Sequence, residues 1–230
     1  MKALRFRQFV TPSVLPIEEV PQPEPGSGEI LVQIQAAAVN PSDVKNVAGQ
    51  FAATKLPRTP GRDFSGVVIA GSRYQGKQVW SSAPGLGLTR DGVHGESAVV
   101  PAECLSLLPS NLTGQQASVI GAPFITAWVA LNRAAKLQAG ETILIVGAAG
   151  AEQIAQLAEG TGAGGRRELR PYSGCRVINT TKEDVRERVF ALTDGHGVDV
   201  VLDTVGGPMF EPALRSLGIG GPASCHHLLS

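Results

Sequence analysis

Residues 141–163, ETILIVGAAGAEQIAQLAEGTGA, constrain the fold of this chain more than any other stretch. Segment 141–146 carries four consecutive apolar residues, which predict a buried strand, and Gly147 and Gly150 permit a tight turn after it. Segment 152–159 is rich in helix formers. A strand, a glycine turn and a helix in this order can seat a dinucleotide pyrophosphate on backbone N–H groups. A structural turn without a ligand is the alternative, because a glycine pattern alone is weak evidence.

The composition excludes several classes of partner. The 230 residues include 20 basic and 20 acidic side chains, so nothing argues for electrostatic capture by nucleic acid or by an anionic membrane. No apolar run approaches the roughly 20 residues of a membrane span, and the start MKALRFRQFV does not resemble a signal peptide. We therefore expect a cytoplasmic protein with no nucleic-acid and no membrane partner.

The three cysteines are widely spaced and odd in number, which argues against a disulfide framework and against a CxxC zinc knuckle. Free thiols are the preferred interpretation. The neighbouring residues Cys225, His226 and His227 could hold a stray metal ion, but we interpret them as a solvated tail.

The organisation of the chain changes near residue 112. Before this position, short β-like segments alternate with turns, and a proline-rich connection at 12–25 is predicted to be extended. The β-like segments lie at 3–6, 30–39, 66–70, 78–80 and 96–100. These features predict a small antiparallel barrel or sandwich over residues 1–112.

After residue 112 the pattern becomes an alternation of helices and strands. Thr113 and Gln116 form a capping-box signature at its start. The predicted helices cover 127–135, 182–192 and 209–217, and the predicted strands cover 141–146, 176–179 and 198–205. This alternation predicts a parallel sheet within residues 113–230.

Six segments carry a resemblance to a known family. They are AAAVNPSDVK (36–45), PRTPGRDFSGVV (57–68), GESAVVPAECLSLLP (95–109), FITAWVAL (124–131), AGETILIVGAAGA (139–151) and GVDVVLDTVGG (197–207). The chain resembles the medium-chain dehydrogenase/reductase superfamily, specifically its zinc-free quinone oxidoreductase and enone reductase branch. The resemblance implies a mixed fold, with a GroES-like antiparallel β-barrel domain at 1–112 and an incomplete α/β Rossmann domain at 113–230.

The resemblance also bears on whether the chain has a catalytic zinc site. Zinc-dependent relatives place two cysteines and a histidine at positions that hold Asn40, Arg62 and Ala122 in this sequence. An amide, a guanidinium and a methyl group cannot replace two thiolates and an imidazole. We therefore expect no catalytic zinc, and no metal site is predicted.

The candidate catalytic residues implied by the resemblance are Asn40, Ser42 and Lys45, which would hydrogen-bond the acceptor near the nicotinamide. Lys45 could donate a proton, and a solvent-exposed lysine is its alternative. We expect Asp43 to order this loop, and Arg62 and Asp63 to form a structural ion pair.

The resemblance places the cofactor on three further segments. Thr126 would contact the nicotinamide, with a helix-start hydroxyl bonded to nearby backbone as its alternative. Segment 147–151 would hold the pyrophosphate, and the turn at 204–207 would lie near a ribose. The candidate cofactor-binding residues are Thr126, Gly147, Ala148, Ala149, Gly150, Ala151, Thr204, Val205 and Gly206.

Two stretches depart from the family pattern. A Val-Gly pair is missing after Ala151, so Glu152 follows the shortened turn and would repel a bound phosphate. Segment 164–174 has too few apolar residues for a buried second strand. Its three arginines could contact a 2′-phosphate, which would favour NADPH, although a basic surface loop is the preferred interpretation. Because the chain also ends early against the family pattern, we hypothesise a truncated or frame-disrupted member.

These features predict a zinc-independent oxidoreductase that uses NADPH, or NADH, to reduce a quinone or an α,β-unsaturated carbonyl by hydride transfer. Phe51 stands where thioester reductases of the superfamily have a tyrosine, which disfavours thioester substrates. A non-catalytic dinucleotide-binding or interaction protein is the alternative, and a degenerate product without a stable fold is a third possibility. Family analogy suggests a homodimer.

Overall fold

The computed structural model describes residues 1–11, 15–71, 73–147, 161–164, 176–218 and 224–227, with 161–164 and 224–227 described by their backbone alone. The chain divides into two compact units, Met1–Ala122 and Pro123–Ser230. The domain boundary that the sequence suggests at residue 112 stays a prediction. Within the described ranges, no helix is long and apolar enough to cross a membrane.

The described part of the first unit contains two antiparallel sheets. Strands β1 and β2 pair with each other, and five further strands form a sheet in the order β6-β3-β4-β5-β7. The strands are β1 Lys2–Leu4, β2 Ile17–Glu19, β3 Glu29–Ala37, β4 Asp63–Ala70, β5 Gln78–Ser82, β6 Ser97–Pro101 and β7 Ser106–Leu107. Helix α1 covers Pro41–Val47 and α2 covers Gly114–Ser118.

Alternation along β3 explains why this sheet has a buried face. Ile30 and Val32 are fully buried and Gln33 and Gln35 are exposed, as expected for side chains that alternate across a strand, while Leu31 is buried on the other face. Ile30 and Val32 pack in one cluster with Phe64 of β4. The antiparallel first half predicted from the sequence is confirmed.

Among its described residues, the second unit contains a five-stranded parallel sheet in the order β10-β9-β8-β11-β12. Its strands are β8 Ile143–Val146, β9 Thr161–Gly164, β10 Arg176–Asn179, β11 Val200–Asp203 and β12 Ser224–His227. Helix α3 covers Gly121–Trp128, so its first two residues belong to the first unit, while α4 covers Val185–Leu192 and α5 covers Phe210–Leu214. The predicted parallel sheet with intervening helices is confirmed.

Both faces of β8 are covered, which explains its unbroken apolar run. Ile143 and Ile145 pack against Ala127 and Ala130, whereas Leu144 packs in a separate cluster that includes residues of α4. All four residues of β8 are buried. Strands buried on both faces are typical of parallel sheets.

Two predictions about this sheet are wrong. A second strand, expected to be missing, is present as β9 between β8 and β10. Its sequence TGAG has no large apolar residue, so the apolar pattern could not reveal a strand defined by its backbone pairing. Cys225, His226 and His227, expected in a solvated tail, lie in β12 and pair with β11.

Three helices have boundaries different from those predicted. The helix expected at 182–192 begins at Val185, because Asp184 accepts a hydrogen bond from Glu187 N at 2.9 Å as its N-cap. The helix expected at 127–135 begins earlier, as α3, and continues as the π-helical segment Val129–Ala134. The helix expected at 209–217 is the short α5, preceded by the 3₁₀ turn Gly207–Met209.

The capping box at the start of α2 is confirmed. Thr113 Oγ1 accepts a hydrogen bond from Gln116 N at 3.2 Å, and Thr113 N donates to Gln116 Oε1 at 2.9 Å. Each bond satisfies a backbone donor that the helix itself leaves without a partner.

Candidate functional site

The strand order of the parallel sheet reverses between β8 and β11. From β8 the strand order runs through β9 and β10 on one side and through β11 and β12 on the other. In open parallel sheets of this kind, ligands bind beyond the carboxyl ends of the strands at such a reversal. Val146 and Asp203 are register partners at these ends, and Gly147 and Thr204 follow them.

Gly147 and the turn after β11 approach too closely to admit a side chain at position 147. Gly147 has φ +98°, and a Cβ placed on it would overlap Thr204 Oγ1 and lie within 2.9 Å of the side chain of Val205. Thr204 donates to the carbonyl oxygen of Val146 from N at 3.2 Å and from Oγ1 at 3.0 Å. The structure thus brings together Gly147, Thr204 and Val205, all candidate cofactor-binding residues.

Asp203 stabilises this turn through hydrogen bonds from the turn's backbone N–H groups. Its Oδ1 accepts hydrogen bonds from Val205 N and Gly206 N, both at 2.9 Å, and the residue is fully buried. Gly206 has φ +66° and ψ −155°, a conformation that favours glycine. Asp203 was not among the predicted site residues. The signal available was a carboxylate ending the apolar run VVLD directly before a turn.

The described residues at this edge of the sheet are compatible with a bound dinucleotide. They lie beyond the carboxyl ends of β8 and β11, where the strand order reverses, and Gly147 lets the chain turn there at φ +98° with Thr204 packed against it. Val205 is 59% exposed beside it and offers apolar surface. Ala148, Ala149, Gly150 and Ala151 lie outside the described residues, as do Glu152 and the arginines of segment 164–174. Thr126 is exposed on α3.

The candidate catalytic residues of the first unit lie in helix α1 or at its N-cap, not in a loop as predicted. Asn40 is the N-cap of α1, and Ser42 and Lys45 are half-buried within that helix. Asn40 N donates to Asp43 Oδ2 at 2.8 Å, which agrees with the ordering role expected for Asp43. Proline at position 41 suits the first helical turn, where its missing N–H costs nothing.

Asp43 lies in a buried, charged surrounding. Burial raises the pKa of its carboxyl group, while the hydrogen bond from Asn40 N, the His94 side chain and the Arg62 guanidinium act to lower it. Arg62 Nε lies 3.7 Å from Asp43 Oδ1. The predicted ion pair between Arg62 and Asp63 is therefore wrong, since consecutive residues of an extended segment point to opposite sides.

Asp63 instead accepts two other hydrogen bonds. Its Oδ2 receives one from Asn40 Nδ2 at 3.0 Å and one from Ala122 N at 2.9 Å. Asp63 is fully buried, and Asn40 is 8% exposed. Two of the three positions that carry zinc ligands in zinc-dependent relatives thus meet on one carboxylate.

The donor set at those three positions does not fit zinc. The amide nitrogen of Asn40 faces a carboxylate as a hydrogen-bond donor, Arg62 is a permanent cation, and Ala122 has no ligand atom in its side chain. Among the side chains that the structure describes, no group of three or more His, Cys, Asp or Glu could hold a metal ion.

Comparisons with known proteins agree with this architecture. The alcohol dehydrogenase GroES-like domain matches residues 26–110, and the zinc-binding dehydrogenase family matches residues 111–225. A zinc-type alcohol dehydrogenase-like protein of Schizosaccharomyces pombe is 42% identical over 97% of this chain and 70% of its own length. A quinone oxidoreductase of Lama guanicoe is 30% identical over 96% and 71%, respectively.

Solved structures give the same result. The quinone oxidoreductase of Coxiella burnetii has a TM-score of 0.83 at 26% identity, covering 100% of this chain and 82% of its own. A mycobacterial protein complexed with NADPH has a TM-score of 0.83 at 26% identity, covering 96% and 71%. The predicted order of a GroES-like domain and a Rossmann-like domain is confirmed. The chain belongs to the medium-chain dehydrogenase/reductase superfamily, where its relatives include quinone oxidoreductases.

Proposed function

We propose that this chain is a zinc-independent oxidoreductase that uses a nicotinamide dinucleotide, preferentially NADPH, to reduce a quinone or an α,β-unsaturated carbonyl. The observation that carries the proposal is the turn of Gly147, Thr204 and Val205 beyond the carboxyl ends of β8 and β11, where the strand order reverses. There Thr204 and Val205 pack against Gly147, and Asp203 accepts hydrogen bonds from Val205 N and Gly206 N. The preference for NADPH draws on the relative that was solved with this nucleotide.

The second unit supplies the nucleotide-binding residues of this proposal. The pyrophosphate binds at segment 147–151, the turn of Thr204, Val205 and Gly206 contacts a ribose, and Thr126 contacts the nicotinamide. The bound nucleotide supplies the hydride. The backbone N–H groups of Val205 and Gly206 are directed to Asp203. These hydrogen bonds fix the shape of the turn before the nucleotide binds.

The first unit supplies the polar groups for the acceptor. An asparagine amide has two N–H donors, and Asn40 gives one of them to Asp63. The other can donate to the acceptor carbonyl, where negative charge develops during reduction. Ser42 adds a hydroxyl donor, and Lys45 supplies a proton to the reduced acceptor. No metal is required for this polarisation, in keeping with the donor set at Asn40, Arg62 and Ala122.

The whole enzyme's activity remains a proposal because the chain covers only part of its relatives, 57% of a Nematostella vectensis quinone oxidoreductase-like homologue for example. The preferred acceptor, a cytoplasmic location and a homodimer are predictions of the same kind. A non-catalytic dinucleotide-binding protein is the competing function.

The test combines binding with turnover. Folded protein is titrated with NADPH and, in parallel, with NADH while nicotinamide fluorescence is followed. The complex is then assayed with a panel of quinones and enones, with and without a metal chelator. Saturable NADPH binding with chelator-resistant turnover supports the proposal. Binding without turnover supports the non-catalytic alternative, and no binding by a cooperatively folded protein contradicts both.

A further inference from the structure

One oxygen of Asp63 joins two segments that are distant in sequence. Asp63 Oδ2 lies 3.0 Å from Asn40 Nδ2 and 2.9 Å from Ala122 N. Both contacts lie inside the first unit, and Asp63 is fully buried. Since hydrogen bonds to a buried carboxylate are stronger than neutral ones, this oxygen constrains both donors.

The contact with Asn40 selects one orientation of its amide. An asparagine amide can rotate by about 180° and exchange its oxygen with its nitrogen. A carboxylate offers only acceptor atoms, so the amide oxygen turned toward Asp63 would be repelled, and the nitrogen turned toward it is bonded. The N-cap position restrains the backbone of Asn40 in addition, through the bond from Asn40 N to Asp43.

The contact with Ala122 acts on the start of α3. Ala122 lies in the first turn of that helix, where backbone N–H groups have no partner within the helix. A carboxylate at this end is favourable to the helix dipole. Gly121 permits the approach, because a Cβ at that position would lie 2.9 Å from Asp63 Oδ1. The same side chain therefore orients Asn40 and caps α3.

We propose that Asp63 is a positioning residue, which holds the amide of Asn40 in the orientation that presents its second N–H to the acceptor. This inference rests on the proposed function for its catalytic consequence. Its geometric part, the restraint on the amide, stands independently of turnover. A purely structural role, in which Asp63 only stabilises the fold, is the competing explanation.

The first experiment observes the amide directly. The side-chain resonances of Asn40 are assigned in an NMR spectrum of the full chain by their loss in Asn40→Asp. We expect slow hydrogen exchange for this amide in the wild type and fast exchange in Asp63→Ala. Asp63→Asn keeps an acceptor oxygen and should retain much of the protection. Fast exchange in the wild type would overturn the proposal, whatever the protein catalyses.

The second experiment separates positioning from stability. Asp63→Ala, Asp63→Asn and the control Asp91→Ala are compared in thermal midpoint, NADPH affinity and kcat, at a temperature where all are folded. Asp91 is a suitable control because it also accepts several hydrogen bonds, from Thr59 N and from Arg5, within the same unit. We expect kcat to fall about 10- to 100-fold in Asp63→Ala without a matching loss of NADPH affinity. Asp63→Asn should recover much of kcat, and Asp91→Ala should lower the midpoint alone.

A double-mutant comparison completes the test. If Asp63 acts through Asn40, Asp63→Ala should reduce kcat by less than about twofold further in an Asn40→Ala background. If the effects of the two substitutions on kcat multiply, or if kcat is unchanged in Asp63→Ala, the role of Asp63 is purely structural and the proposal is overturned. If the wild type reduces no acceptor although the Asn40 amide is protected, the proposed function fails, while the restraint by Asp63 is supported.

Discussion

Thr204 Oγ1 donates a hydrogen bond to the carbonyl oxygen of Val146 at 3.0 Å, and so links the residue after β11 to the last residue of β8. The backbone N of Thr204 donates to the same oxygen at 3.2 Å. The side-chain bond therefore adds to a link that the backbone already makes. It orients the hydroxyl toward the β8 end, next to Gly147.

Thr204→Val should remove this side-chain bond and keep the shape of the residue. We expect about 1 kcal/mol of stability to be lost, since the backbone bond remains, and NADPH affinity to fall. Denaturant unfolding and nucleotide titration measure the two effects. Thr204→Ser keeps the hydroxyl and serves as the control. An unchanged NADPH affinity in Thr204→Val would remove the hydroxyl from the proposed cofactor site.

Gly147→Ala should disturb the same turn by steric overlap. Its positive φ is unfavourable for alanine, and the new methyl group would collide with Thr204 Oγ1. Gly140→Ala is a matched control, because Gly140 has φ +91° and a methyl group added there would meet no atom within 4 Å. We expect the control to lose about 1–2 kcal/mol from backbone strain.

Gly147→Ala should lose more stability than that control and should bind NADPH much more weakly. Chemical unfolding and fluorescence titration of the two variants provide the comparison. Equal losses of stability in both variants would mean that Thr204 moves aside for the new methyl group at little cost in free energy. Equal nucleotide affinity would contradict the assignment of Gly147 to the cofactor site.

Glu29→Gln should change how stability depends on pH. The hydrogen bond from Gly26 N, and then the Arg90 side chain, hold the pKa of Glu29 below its ordinary value, although burial opposes them. A carboxyl group whose pKa is lowered in the folded state stabilises the fold at pH values above its unfolded-state pKa of about 4.3. This contribution is lost as the pH falls through the folded-state pKa. The wild type should therefore exceed the variant in stability near neutral pH.

That difference should shrink as the solution is acidified below about pH 4. Denaturant unfolding of both proteins across this range is the measurement. A difference that stays constant at all pH values would show that ionisation of Glu29 is not its cause. Glu103→Gln is a convenient reference, because none of the ion pairs among the described residues involves Glu103.

Leu144→Ala should test the double-sided burial of β8. Leu144 is fully buried, so removing its side chain leaves a cavity and should cost about 2–5 kcal/mol. Leu107→Ala removes the same atoms from a residue that is 51% exposed and should cost much less. Denaturant unfolding compares the two. Similar losses would indicate that the apolar strand is not the core of the second unit.

The sequence was informative where a short segment carries its own pattern. Strand β10 has the predicted bounds. Strands β8 and β11 lie within the predicted segments, because parallel strands buried on both faces carry apolar runs. Strand β9 lacked such a signal, since its Gly and Ala residues contribute backbone pairing and little apolar surface. Pattern analysis therefore missed the second strand.

The site could be predicted only in outline for a similar reason. Family motifs identified Gly147 and Thr204 separately, but their contact joins positions that are 57 apart and depends on the register of β8 and β11. The bond between Asn40 and Asp63 likewise joins positions that are 23 apart. Adjacent sequence suggested a pairing of Arg62 with Asp63, whereas the alternation of side chains directs them to different partners.

The bond between Ala122 and Asp63 has a consequence for the tolerance of each position to substitution. Ala122 contributes its backbone N–H, which every residue except proline possesses. A saturation library should therefore show Asp63 as strongly restricted, while the hydrogen bond at position 122 is abolished by proline alone. An alanine scan would test the acceptor Asp63 but not the donor at position 122, because that residue is already alanine.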